Sequence, residues 1–232
     1  MPDAAPNPEL LRSLGRLVRG LSALFWGLPV ALVVCVQTAR ADWLKSFGIL
    51  PPLATTALLC YGVWQIGAFQ KQERVWRTAL DRAQMLSLLN VGLAPFVFWW
   101  NRMPDERFFS AAVAVFALST LLFLLSLNLV LQRLGAMLPD ETLRQETRHY
   151  TRLDCLLLLA TLALTAAYLG ANACGHPLPD ALGIPFDYRE RFGFGVVVFG
   201  LVVFVLLPLA MTMALLWKTK QVVLESVFGP AG

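Results

Sequence analysis

Long apolar runs, separated by short polar segments, constrain this chain more than any other feature of its sequence. Crossing the hydrocarbon core of a bilayer, about 30 Å thick, takes about 20 helical residues. Six runs approach or exceed this length, and the third is the shortest: residues 20–38, 47–69, 85–100, 108–131, 153–174 and 192–217. Because a backbone in hydrocarbon must satisfy its own hydrogen bonds, each run predicts an α-helix. The predicted fold is therefore all-α, a polytopic membrane bundle of six transmembrane helices.

The composition agrees with a bilayer as the solvent for these runs. The chain is 57% hydrophobic and 15% charged, whereas soluble domains are about 45–50% apolar and about 25% charged. The net charge of +4 does not indicate a nucleic-acid partner, because the basic residues form short clusters between the runs. The expected partner is the lipid bilayer, and the expected location is multi-pass in a cell membrane. The short loops suggest the cytoplasmic membrane of a bacterium.

The distribution of Lys and Arg predicts the orientation, since cationic residues are in excess on the cytoplasmic side. One side of the six-helix scheme holds thirteen of them: Arg12, Arg16, Arg19, Lys71, Arg74, Arg77, Arg82, Arg133, Arg144, Arg148, Arg152, Lys218 and Lys220. The other side holds six: Arg40, Lys45, Arg102, Arg107, Arg189 and Arg191. We therefore expect a cytoplasmic tail at residues 1–19, a membrane domain at 20–217 and a second cytoplasmic tail at 218–232.

The first apolar run permits a second interpretation, as a secretory signal peptide. A basic stretch precedes it, and Ala39-Arg40-Ala41 has the small-x-small pattern of a cleavage site. Cleavage after Ala41 would leave five helices and an external N-terminus. The run is long for a signal peptide and the chain after it is itself membranous, so we expect the first helix to be retained.

No Asp, Glu, Lys, Arg or His lies deep within a predicted span. Asp154 is the nearest ionisable residue to a span interior, and we expect it at a helix entrance within reach of water, which argues against a coupled pump. Asn90 and Asn128 each lie within about five residues of the cytoplasmic end of their runs. We predict that these two asparagines hydrogen-bond across helices three and four, a contribution of about 0.6–2 kcal/mol. A ligand site is the alternative.

Small residues recur at four-residue intervals in the fifth run and predict a helix-packing face at the centre of the bundle. One row is Ala163, Ala167 and Ala171, and the other is Ala166, Gly170 and Cys174. Prolines fall within or near several spans and predict kinks, with a substrate cavity as the alternative: Pro29, Pro51, Pro52, Pro95 and Pro208. The four cysteines have no CxxC spacing and read as packing residues, while a Cys35–Cys174 disulfide is the alternative.

The sequence offers no support for catalysis. Its two histidines, His149 and His176, fall on opposite sides of the predicted membrane, so they cannot form one metal site or acid–base pair. Gly-x-Ser-x-Gly, Walker A and His-Glu-x-x-His motifs are absent from the sequence. So are the Ser/His, Arg/His and multi-Asp signatures of rhomboid proteases, membrane lipid phosphatases and CDP-alcohol transferases. We expect no enzyme activity, no cofactor and no metal.

Two cytoplasmic segments are predicted to continue neighbouring helices. Residues 71–84 mix apolar and charged residues at helical spacing, and residues 139–152 open with Pro139, Asp140 and Glu141, as in a first helical turn. The leading functional hypothesis is a non-enzymatic accessory or scaffold subunit that packs against other membrane proteins or against copies of itself. The alternative is a permease or channel for a neutral or lipid-like substrate.

Overall fold

The computed structural model describes residues 8–40, 45–67, 74–103, 105–137, 141–173 and 193–228 of the chain. These residues form six α-helices: α1 (Pro8–Arg40), α2 (Leu50–Gly67), α3 (Arg74–Arg102), α4 (Arg107–Met137), α5 (Glu141–Ala173) and α6 (Gly193–Phe228). One turn of 3₁₀ helix, Lys45–Phe47, precedes α2. Within the described ranges no residue forms a β-strand. The all-helical fold that the apolar runs predict is confirmed for this part of the chain.

Among the residues that the structure describes, three helices contain segments that are long and apolar enough to cross a membrane. These segments are Arg12–Arg40 in α1, Trp76–Arg102 in α3 and Arg107–Ala136 in α4. They make the structure compatible with a membrane protein, as the sequence predicts.

Several helices extend well beyond the apolar runs that predict them. α3 begins at Arg74, eleven residues before its run starts at residue 85. Its first turns are amphipathic, with Trp76, Leu80 and Ala83 buried and Arg77 and Asp81 exposed, so one face packs on the bundle while the other meets solvent. α5 likewise begins at Glu141 and continues without a break into its apolar run. The described parts of both predicted extensions, residues 74–84 and 141–152, are therefore parts of continuous helices.

The prolines differ in their position within the helices. α2 begins at Leu50, so Pro51 and Pro52 lie in its first turn, where a missing backbone N–H costs no intrahelical bond. The expectation that these two prolines break a spanning helix is wrong, because the helix starts three residues later than its apolar run. Pro29, Pro95 and Pro208 lie inside α1, α3 and α6, and each of these helices is continuous.

The core forms where α1 packs against α2, α3 and α6, and where α4 packs against α3, α5 and α6. A stripe of α1 at three- and four-residue spacing is almost fully buried: Leu17, Leu21, Leu24 and Leu28. α1 and α2 approach each other closely, and a Cβ added to Gly20 would lie 2.7 Å from the carbonyl oxygen of Gly62. Small residues at this crossing let the two backbones touch.

The small-residue face of α5 lies on the outside of the single chain. Ala163, Ala166, Ala167 and Gly170 are exposed. The side chain of Ala171 and the whole of Cys174 lie outside the described residues. The buried face of α5 is a different one, formed by Thr151, Asp154, Leu158 and Thr161. The face that was predicted to lie at the bundle centre therefore takes no part in the core contacts of α5. Its packing against another chain stays a prediction.

Other predicted features fall partly on residues that the structure does not describe. Residues 41–44 are among them, so the possible cleavage after Ala41 lies outside the described residues. Cys35, Cys60 and Cys155 are free thiols, and the pairing of Cys35 with Cys174 lies outside the described residues. His176 and the side chain of His149 also lie outside the described residues.

Candidate functional site

Three polar side chains from three helices meet in the interior of the bundle. Asn128 comes from α4, Asp154 from α5 and Thr212 from α6, and each is 0% exposed. We call these three residues the Asp154 cluster. A carboxyl group enclosed in this way is unusual, because burying a charge is costly unless other groups compensate for it.

Each member of the cluster lies on the buried stripe of its own helix. On α5 the stripe runs Thr151, Asp154, Leu158, at spacings of three and four residues. On α4 Asn128 follows Leu124 by four residues, and on α6 Thr212 follows Pro208 by four. The same helical periodicity that buries the leucines therefore brings these polar groups into the core.

The hydrogen bonds of the cluster run from Asn128 through Thr212 to Asp154. Nδ2 of Asn128 donates to the carbonyl oxygen of Leu124 at 3.1 Å and to Oγ1 of Thr212 at 2.9 Å. Oγ1 of Thr212 lies 2.8 Å from the carbonyl oxygen of Pro208 and 3.1 Å from Oδ2 of Asp154. A hydroxyl has one proton, so Thr212 donates to one of these two oxygens at a time.

Two oxygens of the cluster have no hydrogen-bond donor. Among the described residues, Oδ1 of Asn128 and Oδ1 of Asp154 are buried without a partner, as is Nε1 of Trp76. The amide oxygen only accepts, and the carboxyl oxygen only accepts while Asp154 is ionised, so the two cannot satisfy each other in that state. An unsatisfied buried acceptor costs about 1–3 kcal/mol and calls for a physical explanation.

The prediction that Asp154 lies within reach of water is wrong. Asp154 lies close to the end of its apolar run, as expected, but it is enclosed by protein rather than open to water. Residues on the buried face of a helix are covered by neighbouring helices even near the end of a span. Thr212 was not identified from the sequence at all, because a threonine in an apolar helix ordinarily bonds only to the carbonyl four residues before it.

Asn90 and Asn128 each have a different partner in the structure. Oδ1 of Asn90 accepts a hydrogen bond from the hydroxyl of Ser119, which joins α3 to α4. Asn128 bonds to Thr212 of α6 instead. Both asparagines are buried and link helices, although within the described residues no hydrogen bond joins them to one another.

A further polar contact lies at the other end of the bundle. Nδ2 of Asn101 in α3 donates to the carbonyl oxygen of Thr38 in α1 at 3.0 Å. Nearby, the rings of Trp99 and Phe109 are stacked, with centroids 6.4 Å apart. These contacts tie the ends of α1, α3 and α4 together and carry no group suited to catalysis.

An open groove on the surface of α3 is apolar. It has a volume of about 570 Å³ and is lined by Met85, Leu86, Leu88, Leu89, Gly92 and Leu93. None of the polar residues Asn90, Asn128 and Thr55 belongs to this lining. Thr55 instead lies beside the Pro51 and Pro52 carbonyl oxygens of its own helix, at 3.2 and 3.1 Å.

The described residues contain no group of three or more His, Cys, Asp or Glu side chains able to hold a metal ion. No protein-family model, curated protein sequence or solved structure matches the chain. Its function is therefore inferred from its own residues and their packing.

Proposed function

We propose that this chain is a non-enzymatic accessory or scaffold subunit of an assembly in a cell membrane. It crosses the bilayer six times with both termini in the cytoplasm, and it packs against other membrane proteins or against copies of itself. The observation that carries this proposal is the combination of interior polar side chains that join helices with an exposed row of small residues on α5.

The interior supports a packing role because its polar groups are used to join helices. Asn90 bonds to Ser119 across α3 and α4, and Asn128 bonds to Thr212 across α4 and α6. Such interhelical bonds stabilise bundles by about 0.6–2 kcal/mol each. A substrate pathway would instead require polar side chains along an open cavity, and the described groove has an apolar lining.

The exterior of α5 supports the same role. Ala163, Ala166, Ala167 and Gly170 are exposed, and they lie on the part of α5 that belongs to the fifth apolar run. Small side chains let a second helix approach closely, and van der Waals packing drives helix association in lipid. Because α5 uses another face inside this chain, the small-residue face is available to a helix from a different chain.

Bulky substitutions on that face provide the experiment. Ala163→Leu and Ala167→Leu keep the surface apolar but fill the space that a partner helix needs. Ala117→Leu is the matched control, because Ala117 is an exposed alanine on α4. The proteins are extracted from native membranes into polymer nanodiscs, and the co-purifying chains are counted by mass spectrometry.

We expect wild type and Ala117→Leu to carry a stoichiometric partner or a second copy, and the two α5 variants to lose it. A wild-type protein that is monomeric and without partners in native nanodiscs contradicts the proposal. So does a partner that both α5 variants retain.

The second candidate is a permease or channel for a neutral or lipid-like substrate. The buried Asp154 favours it, since ionisable residues in membrane helices often mark transport pathways. Reconstitution into liposomes tests it: efflux of a neutral or lipid-like probe that Asp154→Asn abolishes would favour transport over the scaffold role.

A further inference from the structure

We propose that the Asp154 cluster binds one monovalent metal cation, such as sodium, between α4, α5 and α6. The ligands on which the proposal rests are Oδ1 of Asp154 and Oδ1 of Asn128, the two buried oxygens without a donor. The inference does not depend on the proposed subunit role, because a cation could stabilise a scaffold and a transporter alike.

The orientation of the Asn128 amide follows from its neighbours. One of its terminal atoms lies 3.1 Å from the carbonyl oxygen of Leu124. A carbonyl oxygen only accepts, so the atom facing it must be the nitrogen. The amide oxygen therefore points away from both Leu124 and its bond to Thr212. A rotated amide would place its oxygen against the Leu124 carbonyl oxygen, with two acceptors facing each other.

Thr212 cannot satisfy Asp154 by itself. Oγ1 of Thr212 lies 2.8 Å from the carbonyl oxygen of Pro208 and 3.1 Å from Oδ2 of Asp154, and its single proton can be donated to only one of them at a time. The carboxylate thus receives at most one hydrogen bond from this hydroxyl, on Oδ2. Oδ1 receives none, although the whole side chain is 0% exposed.

A group that satisfies both oxygens must either donate hydrogen bonds to them or carry positive charge. A water molecule supplies two protons but leaves the negative charge of the carboxylate in a medium of low dielectric, which is costly. A cation ligated by both oxygens satisfies the two acceptors and neutralises the charge in one step. Carboxylate and amide oxygens are hard ligands, which suit alkali and alkaline-earth ions. One carboxylate balances one positive charge, which favours a monovalent ion.

Ligand-dependent stability provides the first test. The purified chain is heated in detergent in NaCl or in choline chloride at equal ionic strength, since choline is too large for a buried site between three helices. A ligand that binds only the folded protein raises its stability with the logarithm of the ligand concentration relative to Kd. We expect the Tm of wild type to be about 5 °C higher in saturating NaCl.

Two variants separate the cluster from a general salt effect. Asp154→Asn keeps the shape of the side chain and removes its charge, and its Tm should be the same in NaCl and in choline chloride. Ser119→Ala removes the other buried polar link of α4, at a site outside the cluster, and should lower the Tm in both salts while retaining the sodium-dependent rise.

Direct binding of ²²Na⁺ to wild type keeps the proposal testable even if Asp154→Asn fails to fold. We expect close to one ion bound per chain, displaced by unlabelled NaCl and not by choline chloride. Absence of binding, a wild-type Tm indifferent to sodium, or a sodium-dependent rise that survives in folded Asp154→Asn overturns the proposal. The orphan oxygens would then be satisfied by water or by a proton of the cluster itself.

Discussion

The hydroxyl of Ser119 donates a hydrogen bond to Oδ1 of Asn90, and the two residues stand at equal distances from the turn that joins their helices. Asn90 lies twelve residues before Arg102, where α3 ends, and Ser119 lies twelve residues after Arg107, where α4 begins. A short turn fixes the register of the two helices, so residues equally far from it face each other.

Removing this bond should weaken the contact between α3 and α4. Ser119→Ala leaves the buried Oδ1 of Asn90 without its donor, and we expect a loss of about 0.6–2 kcal/mol in unfolding free energy. A double-mutant cycle with Asn90→Ala isolates the pair and should give a coupling of about 0.6–1.7 kcal/mol. Ser22→Ala is the control, because the Ser22 hydroxyl bonds to the Val18 carbonyl of its own helix. A coupling indistinguishable from zero would contradict the prediction.

The register also explains why the predicted hydrogen bond between Asn90 and Asn128 is wrong. The predicted partnership with Asn128 compared distances from the cytoplasmic ends of the two apolar runs. The structure sets the register at the opposite end, and Asn128 lies nine residues beyond Ser119, or about 13 Å along the helix. Counting from the short connection between Arg102 and Arg107 would have identified Ser119.

The crossing of α1 and α2 gives a second prediction. A Cβ on Gly20 would lie 2.7 Å from the Gly62 carbonyl oxygen, whereas a Cβ on Gly92 would meet nothing within 4 Å. Gly20→Ala should force the two backbones apart and cost about 1–3 kcal/mol. Gly92→Ala should be neutral or stabilise by up to about 1 kcal/mol, since alanine favours the helix. Thermal unfolding in detergent compares the two; equal Tm values for both variants would contradict the close contact.

The helices themselves could be predicted because an apolar run of this length has few alternatives in lipid, whereas contacts between helices could not. The apolar pattern of α5 does not show which of two helix faces is buried. Ala163 and Ala167 have the spacing of a packing face, yet the face through Asp154 and Leu158 is the one buried. Which face turns inward depends on partners that are distant in sequence, such as Thr212.

The proposed orientation predicts which exposed residues can be labelled from outside the cell. Asp105, in the turn between α3 and α4, and Arg77, in the first turns of α3, are both exposed. The proposed orientation places Asp105 outside the cell and Arg77 in the cytoplasm. A membrane-impermeant maleimide should therefore label Asp105→Cys in intact cells and Arg77→Cys only after permeabilisation. Wild type controls for reaction of its native cysteines. The opposite pattern would reverse the orientation, and labelling of both variants in intact cells would contradict a crossing by α3.

Retention of α1 is the last prediction, and it follows from the packing of its buried stripe. Leu17, Leu21 and Leu24 are 0% exposed and belong to the main core, where they contribute van der Waals contacts to the bundle. Cleavage after Ala41 would remove the whole stripe and leave the Gly62 face of α2 open. We therefore expect the purified protein to contain peptides from residues 20–40.

We also expect the double variant Ala39→Leu, Ala41→Leu, which destroys the small-x-small pattern, to have the mass of the wild-type protein apart from the two substitutions. A wild-type protein that begins after Ala41, together with a longer product from the double variant, would show that the first helix is a signal peptide and that the mature bundle closes without it.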